Sequence, residues 1–234
     1  MMELREKAYA YLSQDVAQNI HMIQALKYRD PVIIAVTDRG VLLDYDRWLS
    51  LSCDDVEAAK ELLQFAPQGF TDIVVCREEV ENYVAEAYGL NKHTVCVQTS
   101  YQKQEKLPIP EGLDIRQLDM SFHDIVLEKY SLFHDPDYIT DRINAGVMYG
   151  VFVEGKLAGF IGEHDEGSMG MLEIFPEYRR MGLGYALEAF QINRIVAEGR
   201  VPFDHVIIDN VKSFHLQEKL GMTFSRDHVT FMGE

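Results

Sequence analysis

The stretch from Gly170 to Ala186, Gly-Met-Leu-Glu-Ile-Phe-Pro-Glu-Tyr-Arg-Arg-Met-Gly-Leu-Gly-Tyr-Ala, constrains the fold of this chain more than any other. An apolar strand runs into a loop with two closely spaced glycines. The residues that follow take helical spacing, with Leu183, Leu187 and Phe190 on one stripe. A strand-loop-helix junction of this kind is an anion site. The first-turn N–H groups lack intrahelical acceptors, the helix dipole adds partial positive charge, and Gly182 and Gly184 offer no Cβ to obstruct a phosphate. Arg179 and Arg180 place two full positive charges beside it, in a chain that is otherwise acidic.

That acidity, 38 Asp and Glu against 22 Lys and Arg for a net charge of -16, argues against nucleic acid as a partner, because phosphate backbones are repelled and no basic run offsets the field. A cationic acceptor such as a polyamine, an aminoglycoside or a lysine side chain would be drawn in, although an acidic surface is more commonly a solubility trait. Apolar runs such as Val32 to Val36 are far shorter than the roughly 20 residues of a membrane-spanning helix, so a cytoplasmic protein with no membrane partner is expected. Cys53, Cys76 and Cys96 cannot all pair and show no Cys-x-x-Cys spacing. Two of them sit in strand-like runs, and all three read as buried reduced thiols.

Length allows two domains. Residues 3–29 keep helical spacing through Tyr9, Leu12, Val16, Ile20, Ile23 and Leu26, as one helix or as two broken near Ser13-Gln14-Asp15. Then follow a hairpin (32–36 and 41–43), a strand at 48–52, a helix at 54–65, a strand at 71–76, a helix at 78–88 and a strand at 94–97. The polar, proline-bearing segment Lys103 to Gly112 looks like a connector, which places a boundary near residue 107 and predicts domains 1–106 and 107–234. The second domain reads strand (113–118), two helices (121–130 and 137–145), three strands (148–153, 157–163, 169–175), helix (183–197), strand (205–208), helix (211–220) and strand (229–232).

Arg179-Arg180-Met181-Gly182-Leu183-Gly184 resembles the Arg/Gln-x-x-Gly-x-Gly loop with which GNAT acyltransferases hold the pyrophosphate of coenzyme A. The element order from residue 113 onward is similar to that fold. So is Asn210 to Met222, where an Asn opens a helix that ends in Lys219-Leu220-Gly221. The resemblance covers residues 112–234. It implies an α/β (α+β) fold with a central mixed, mostly antiparallel sheet flanked by helices, and a smaller mixed α/β N-terminal domain. The latter resembles the degenerate amino-terminal half of glycine N-acyltransferase-like proteins.

What the resemblance implies for chemistry is attack of a neutral primary amine, from a small molecule or a peptide, on the thioester of bound acetyl-CoA or another acyl-CoA, with no metal. The backbone of Ile174 and Phe175 would hold the pantetheine amides. Arg179 and the amides of Arg180, Met181, Gly182, Gly184 and Tyr185 would cradle the pyrophosphate, and Asn210 and Ser213, at the helix start, would meet the pantetheine arm; Asn210 also reads as a plain N-cap. An aliphatic amine with a pKa near 10 needs a base, and Glu173 and Glu163 are the candidate carboxylates, each with a solvated face as its bland alternative. A bulge in the strand would change which face each presents.

The chain departs from the family at Gln217, which stands where a tyrosine usually protonates the departing thiolate. This keeps an inactive acyl-CoA-binding sensor or scaffold as the alternative function. A third class, an interaction module, would need an exposed apolar patch around Trp48 and Phe70. His215 reads as a surface or packed histidine and Glu163-His164-Asp165-Glu166 as a solvated hairpin. His134-Asp135-Pro136-Asp137 with Tyr138 reads as a capping turn or as acceptor contacts.

Overall fold

The computed structural model describes residues 2–45, 48–130, 132 and 134–234. The first part of the chain runs α1 (Met2–Leu12), α2 (Val16–Tyr28), β1 (Val32–Thr37), β2 (Gly40–Tyr45), β3 (Trp48–Cys53), α3 (Val56–Leu63), β4 (Asp72–Val75), α4 (Glu78–Tyr88) and β5 (Asn91–Ser100). The helical run at the start is therefore two helices. Asp15 breaks it by capping α2, its carboxylate accepting the Gln18 N–H at 3.2 Å.

After β6 (Asp114–Gln117) come α5 (His123–Lys129), α6 (Pro136–Asn144), β7 (Tyr149–Val153), β8 (Lys156–Glu163), β9 (Met169–Ile174), α7 (Leu183–Ala197), β10 (Phe203–Ile207), α8 (Val211–Leu220) and β11 (Thr223–Gly233). The order α-α-β-β-β-α-β-α-β from α1 to β5 thus recurs from α5 to β11. The strand directions recur too: β4 runs parallel to β3, and β10 runs parallel to β9.

Two compact units result: Met1–Ser100 with His205–Gln217 and Met222–Glu234, and Tyr101–Asp204 with Glu218–Gly221. They do not follow the expected division at residue 107. The difference lies in β11, which pairs antiparallel with both β4 and β5 and so belongs to the first unit. Strands β5 and β11 are also longer than the predicted 94–97 and 229–232. Among their extra residues are polar ones that are buried and hydrogen-bonded inside the protein, which hydrophobic alternation does not mark. Gln98 is one: its N–H donates to Ser225 Oγ at 3.0 Å, and its Oε1 accepts the His21 N–H at 2.9 Å.

In the first unit the strands lie in the order β1-β2-β3-β4-β11-β5. Alternation along β2 sends Val41 and Leu43 to a core with Leu12, Met22 and Leu26 of α1 and α2, and Leu42 to one with Ala58, Leu62 and Val80 of α3 and α4. Trp48 packs edge-on against Phe231, and Phe70 lies beside Tyr88, both half-buried, so neither forms the exposed patch an interaction module would need. The three cysteines are buried and unpaired, as expected.

The second unit carries β9-β8-β7-β6. Phe160, Met171 and Phe175 pack with Val126 and Ile139 of α5 and α6 on one face, and Ile161, Leu172 and Ile174 with Leu183 and Leu187 of α7 on the other. Among the described residues no helix is long and apolar enough to cross a membrane.

Candidate active site

Strand β9 brings the chain to the glycine loop, and two of its features prepare a site. Phe160 faces Glu173 and Gly162 faces Gly170, so Ile161 stands opposite two residues, Met171 and Leu172. This is a β-bulge, with Met171 held at φ 52°, where a side chain is strained. On its other edge β9 meets β10 only at Met169, opposite Asp204. Beyond that point this edge has no strand partner among the described residues. The Phe175 N–H donates to the Ala158 carbonyl of β8 at 2.9 Å, so by alternation the main-chain groups of Ile174 and Leu172 point to the unpartnered edge. Of the expected pair Ile174 and Phe175, Ile174 therefore turns its backbone to that edge, as Leu172 does, while Phe175 turns its N–H to β8. The Ile174 carbonyl accepts from Arg179 Nε at 3.0 Å.

The loop after β9 leaves the start of α7 open. Arg180 and Gly182 both have positive φ, 66° and 78°. No side chain caps the helix, and the first helical bond is Ala186 N–H to the Gly182 carbonyl at 3.1 Å, leaving the amides of Leu183, Gly184 and Tyr185 ahead of it. A Cβ at Gly182 would meet nothing within 4 Å, so the space in front of these amides is free. Arg180 is exposed and has no hydrogen bond or ion pair among the described residues; Met181 is exposed and Tyr185 half-buried. Two left-handed residues, one on either side of Met181, ahead of an uncapped helix and with a free guanidinium beside them, form a cradle for an anion. Pyrophosphate fits it.

The two candidate carboxylates do not share a site. Glu173 pairs across the sheet with Phe160 and so lies on the α5–α6 face, half-buried, with Arg179 Nη2 at 3.2 Å from its Oε1. Glu163 turns to the α7 face and is buried. Its Oε1 accepts Gln191 Nε2 at 3.0 Å and is ion-paired with Arg194, and its Oε2 takes both terminal nitrogens of Arg200 at 2.8 Å. Two guanidiniums and an amide make it a structural counter-charge, which corrects its expected role as a base reaching the same cleft as Glu173.

Residues 145–231 match the model of the FR47-like protein family. Among solved structures, a Drosophila protein superposes with a TM-score of 0.65 at 16% identity, covering 99% of this chain and 95% of the other. A putative acetyltransferase of the GNAT family from Novosphingobium aromaticivorans gives 0.52 at 20% identity, covering 87% and 91%. A tandem GNAT protein from the clavulanic acid biosynthesis pathway gives 0.53 at 14% identity, covering 99% and 93%. The fold is the GNAT fold. No curated protein sequence matches the chain.

Against that GNAT frame, the residues missed by sequence reasoning lie in the β8–β9 hairpin. His164-Asp165-Glu166 is not a solvated turn. The Tyr138 hydroxyl of α6 lies 2.6 Å from His164 Nδ1, within hydrogen-bond distance; burial pushes His164 down to about 4, so it is neutral at pH 7. Burial pushes Glu166 up to about 8, against the pull of a hydrogen bond from Ser168 Oγ and with the Asp165 charge adding to the rise. Burial, then the nearby acids, raise Tyr130 and Tyr138 above the ordinary phenol range. The adjacency of Glu163, His164 and Glu166 in sequence was the available signal; burial by α5 and α6 was not readable from it.

Asp135 caps α6, accepting the N–H groups of Asp137 and Tyr138, and His134 Nδ1 lies 2.9 Å from the Leu127 carbonyl. In the first unit, Asn210 accepts the Ser213 N–H at 3.2 Å, Gln217 is buried within α8 and His215 is exposed. Among the described residues no group of His, Cys, Asp and Glu could hold a metal.

Proposed function

We infer that the protein binds an acyl-CoA and transfers its acyl group to a primary amine, with acetyl-CoA as the default donor. The observation that carries this reading is the open start of α7: amides without helical partners, free space at Gly182 and an unpaired Arg180. The loop amides from Arg180 to Tyr185 would hold the pyrophosphate. The main-chain groups of Leu172 and Ile174 on the free edge of β9 suit the amides of the pantetheine arm. Bound there, the thioester supplies an acyl carbon activated for attack.

The chain's own residues then have to manage the amine. An alkylammonium is protonated at neutral pH and must lose a proton to become nucleophilic. Glu166, raised to about 8, becomes able to accept one as pH rises through that value, and neutral His164 with Tyr138 adds a hydrogen-bonding wall next to it. Glu173, on the same face as α5 and α6, is the second candidate base. The acidic composition agrees with a cationic small-molecule or peptide acceptor. Residues from α1 to β5 are best read as a diverged second GNAT-like lobe, on the recurrence of element order and strand direction.

The test is calorimetric titration with acetyl-CoA and CoA, followed by thiol release against a panel of amines. Micromolar binding with amine-dependent release supports the reading. Absence of CoA binding overturns it.

A further inference from the structure

The first unit has a cavity of about 320 Å³, within the size range of small-molecule sites. It opens over the carboxyl ends of the parallel strands β3 and β4, at Ser52, Cys53, Cys76 and Arg77, which is where ligands enter open α/β sheets. The α1–α2 turn forms one wall and the Arg226-Asp227 segment of β11 another.

The charges around it are mixed and largely uncommitted. Asp15 uses Oδ1 to cap α2, Asp54 Oδ1 accepts the Tyr11 hydroxyl at 3.0 Å, and Asp227 Oδ1 accepts the N–H groups of Glu78 and His228 at 3.0 and 2.9 Å. The Oδ2 atom of each has no partner among the described residues. Arg77 spends Nε on the Cys53 carbonyl at 2.8 Å, and Arg226 makes no hydrogen bond or ion pair among the described residues, although carboxylates line the same cavity. Opposite charges that share a cavity without pairing are complementary to a ligand that carries both. The floor is polar but satisfied: Gln18 donates to the Cys76 and His228 carbonyls, and Asn19 Oδ1 accepts Ser52 Oγ at 2.7 Å, so it is pre-organised.

We propose that this cavity is a binding site for a small zwitterion of the free α-amino acid class, its ammonium held by Asp15, Asp54 and Asp227 and its carboxylate by Arg226 and Arg77. The site is independent of the acyl-CoA reading, since none of its residues belongs to the α7 loop or to the β8–β9 hairpin.

The experiment is calorimetric titration of the whole chain with each standard L-amino acid, repeated on Arg226→Ala and Asp54→Asn, whose side chains are exposed and whose folding is checked by thermal melting. At least one amino acid should bind with unit stoichiometry, and each variant should weaken it by about tenfold or more while leaving CoA affinity unchanged. The proposal is overturned if no amino acid binds at millimolar concentration. It is equally overturned if binding survives intact in both variants, which would place the amino acid in the second unit as an acceptor amine.

Discussion

At the end of β3 the chain enters α3 through Asp54 and Asp55; at the end of β9 it enters α7 through Arg180, Met181 and Gly182. The two junctions occupy the same place in the recurring order of elements, and they have opposite chemistry. Asp55 caps α3 with its own carboxylate, taking the Ala58 N–H at 3.0 Å, and is ion-paired with Arg39. The start of α3 thus carries a built-in anion, held below the usual carboxylate range first by that backbone hydrogen bond and then by Arg39. Gly182 provides no side chain, and α7 keeps its amides for something else. One carboxylate is enough to fill a helix start that would otherwise take a phosphate, and emptying it still leaves the cation beside it to be supplied.

The strongest way to break this contrast is to plug the second junction. Gly182→Glu places a carboxylate in the anion's space and a Cβ at a φ of 78°, so acetyl-CoA affinity should fall by about a hundredfold or more, read by calorimetry, in a protein that still melts cooperatively. Unchanged affinity would mean the pyrophosphate lies elsewhere.

Glu166→Gln asks whether proton transfer belongs to the second unit. With Glu166 near 8, kcat/KM in the wild type should rise with pH through about 8 as the carboxylate becomes free to accept a proton. The variant should lose that inflection and roughly a hundredfold in kcat with CoA affinity intact. Arg180→Ala should cost about tenfold in CoA affinity and flatten its salt dependence. Asp55→Gly unplugs the first junction; it should lower the melting temperature by a few degrees through the lost cap, while CoA stoichiometry stays at one per chain, because no free arginine waits at that helix. A second CoA per chain would show that the plug alone separates the two.

The smallest effect compares two histidines. His21 in α2 and His164 in the second unit are both pushed down to about 4 by burial. Each is neutral in the folded protein and binds a proton near 6.5 when unfolded. Their contribution is therefore complete above about 6.5 and lost as pH falls from there toward 4. His21→Gln and His164→Gln should each flatten the acid side of a melting-temperature profile.

The glycine loop was legible because glycine, arginine and the strand before them are local signals. The face of Glu163 was not: the groups that claim it, Arg194 and Arg200, come from α7 and the turn after it, and only the folded sheet brings them together. Glu166 failed in the same way, since a charged tripeptide between two strands reads as solvent-facing until α5 and α6 cover it. The bulge at Met171 left no mark in sequence, and it sets which face Glu173 presents. The membership of β11 was illegible for a different reason: part of its bonding runs between polar groups, Ser225 accepting the Gln98 N–H and Thr230 donating to Glu81, and such pairs are invisible to periodicity.

The place of β11 between β4 and β5 also sets an order of assembly. The core of the first unit closes only when Val229 and Met232 arrive, yet β5 ends at Ser100 and β11 does not begin until Thr223. During synthesis the amino-terminal strands must wait, with the edges of β4 and β5 unpaired, while the whole of residues 101–204 emerges and folds. Such long-range closure is slow, and the chain made first becomes the part finished last.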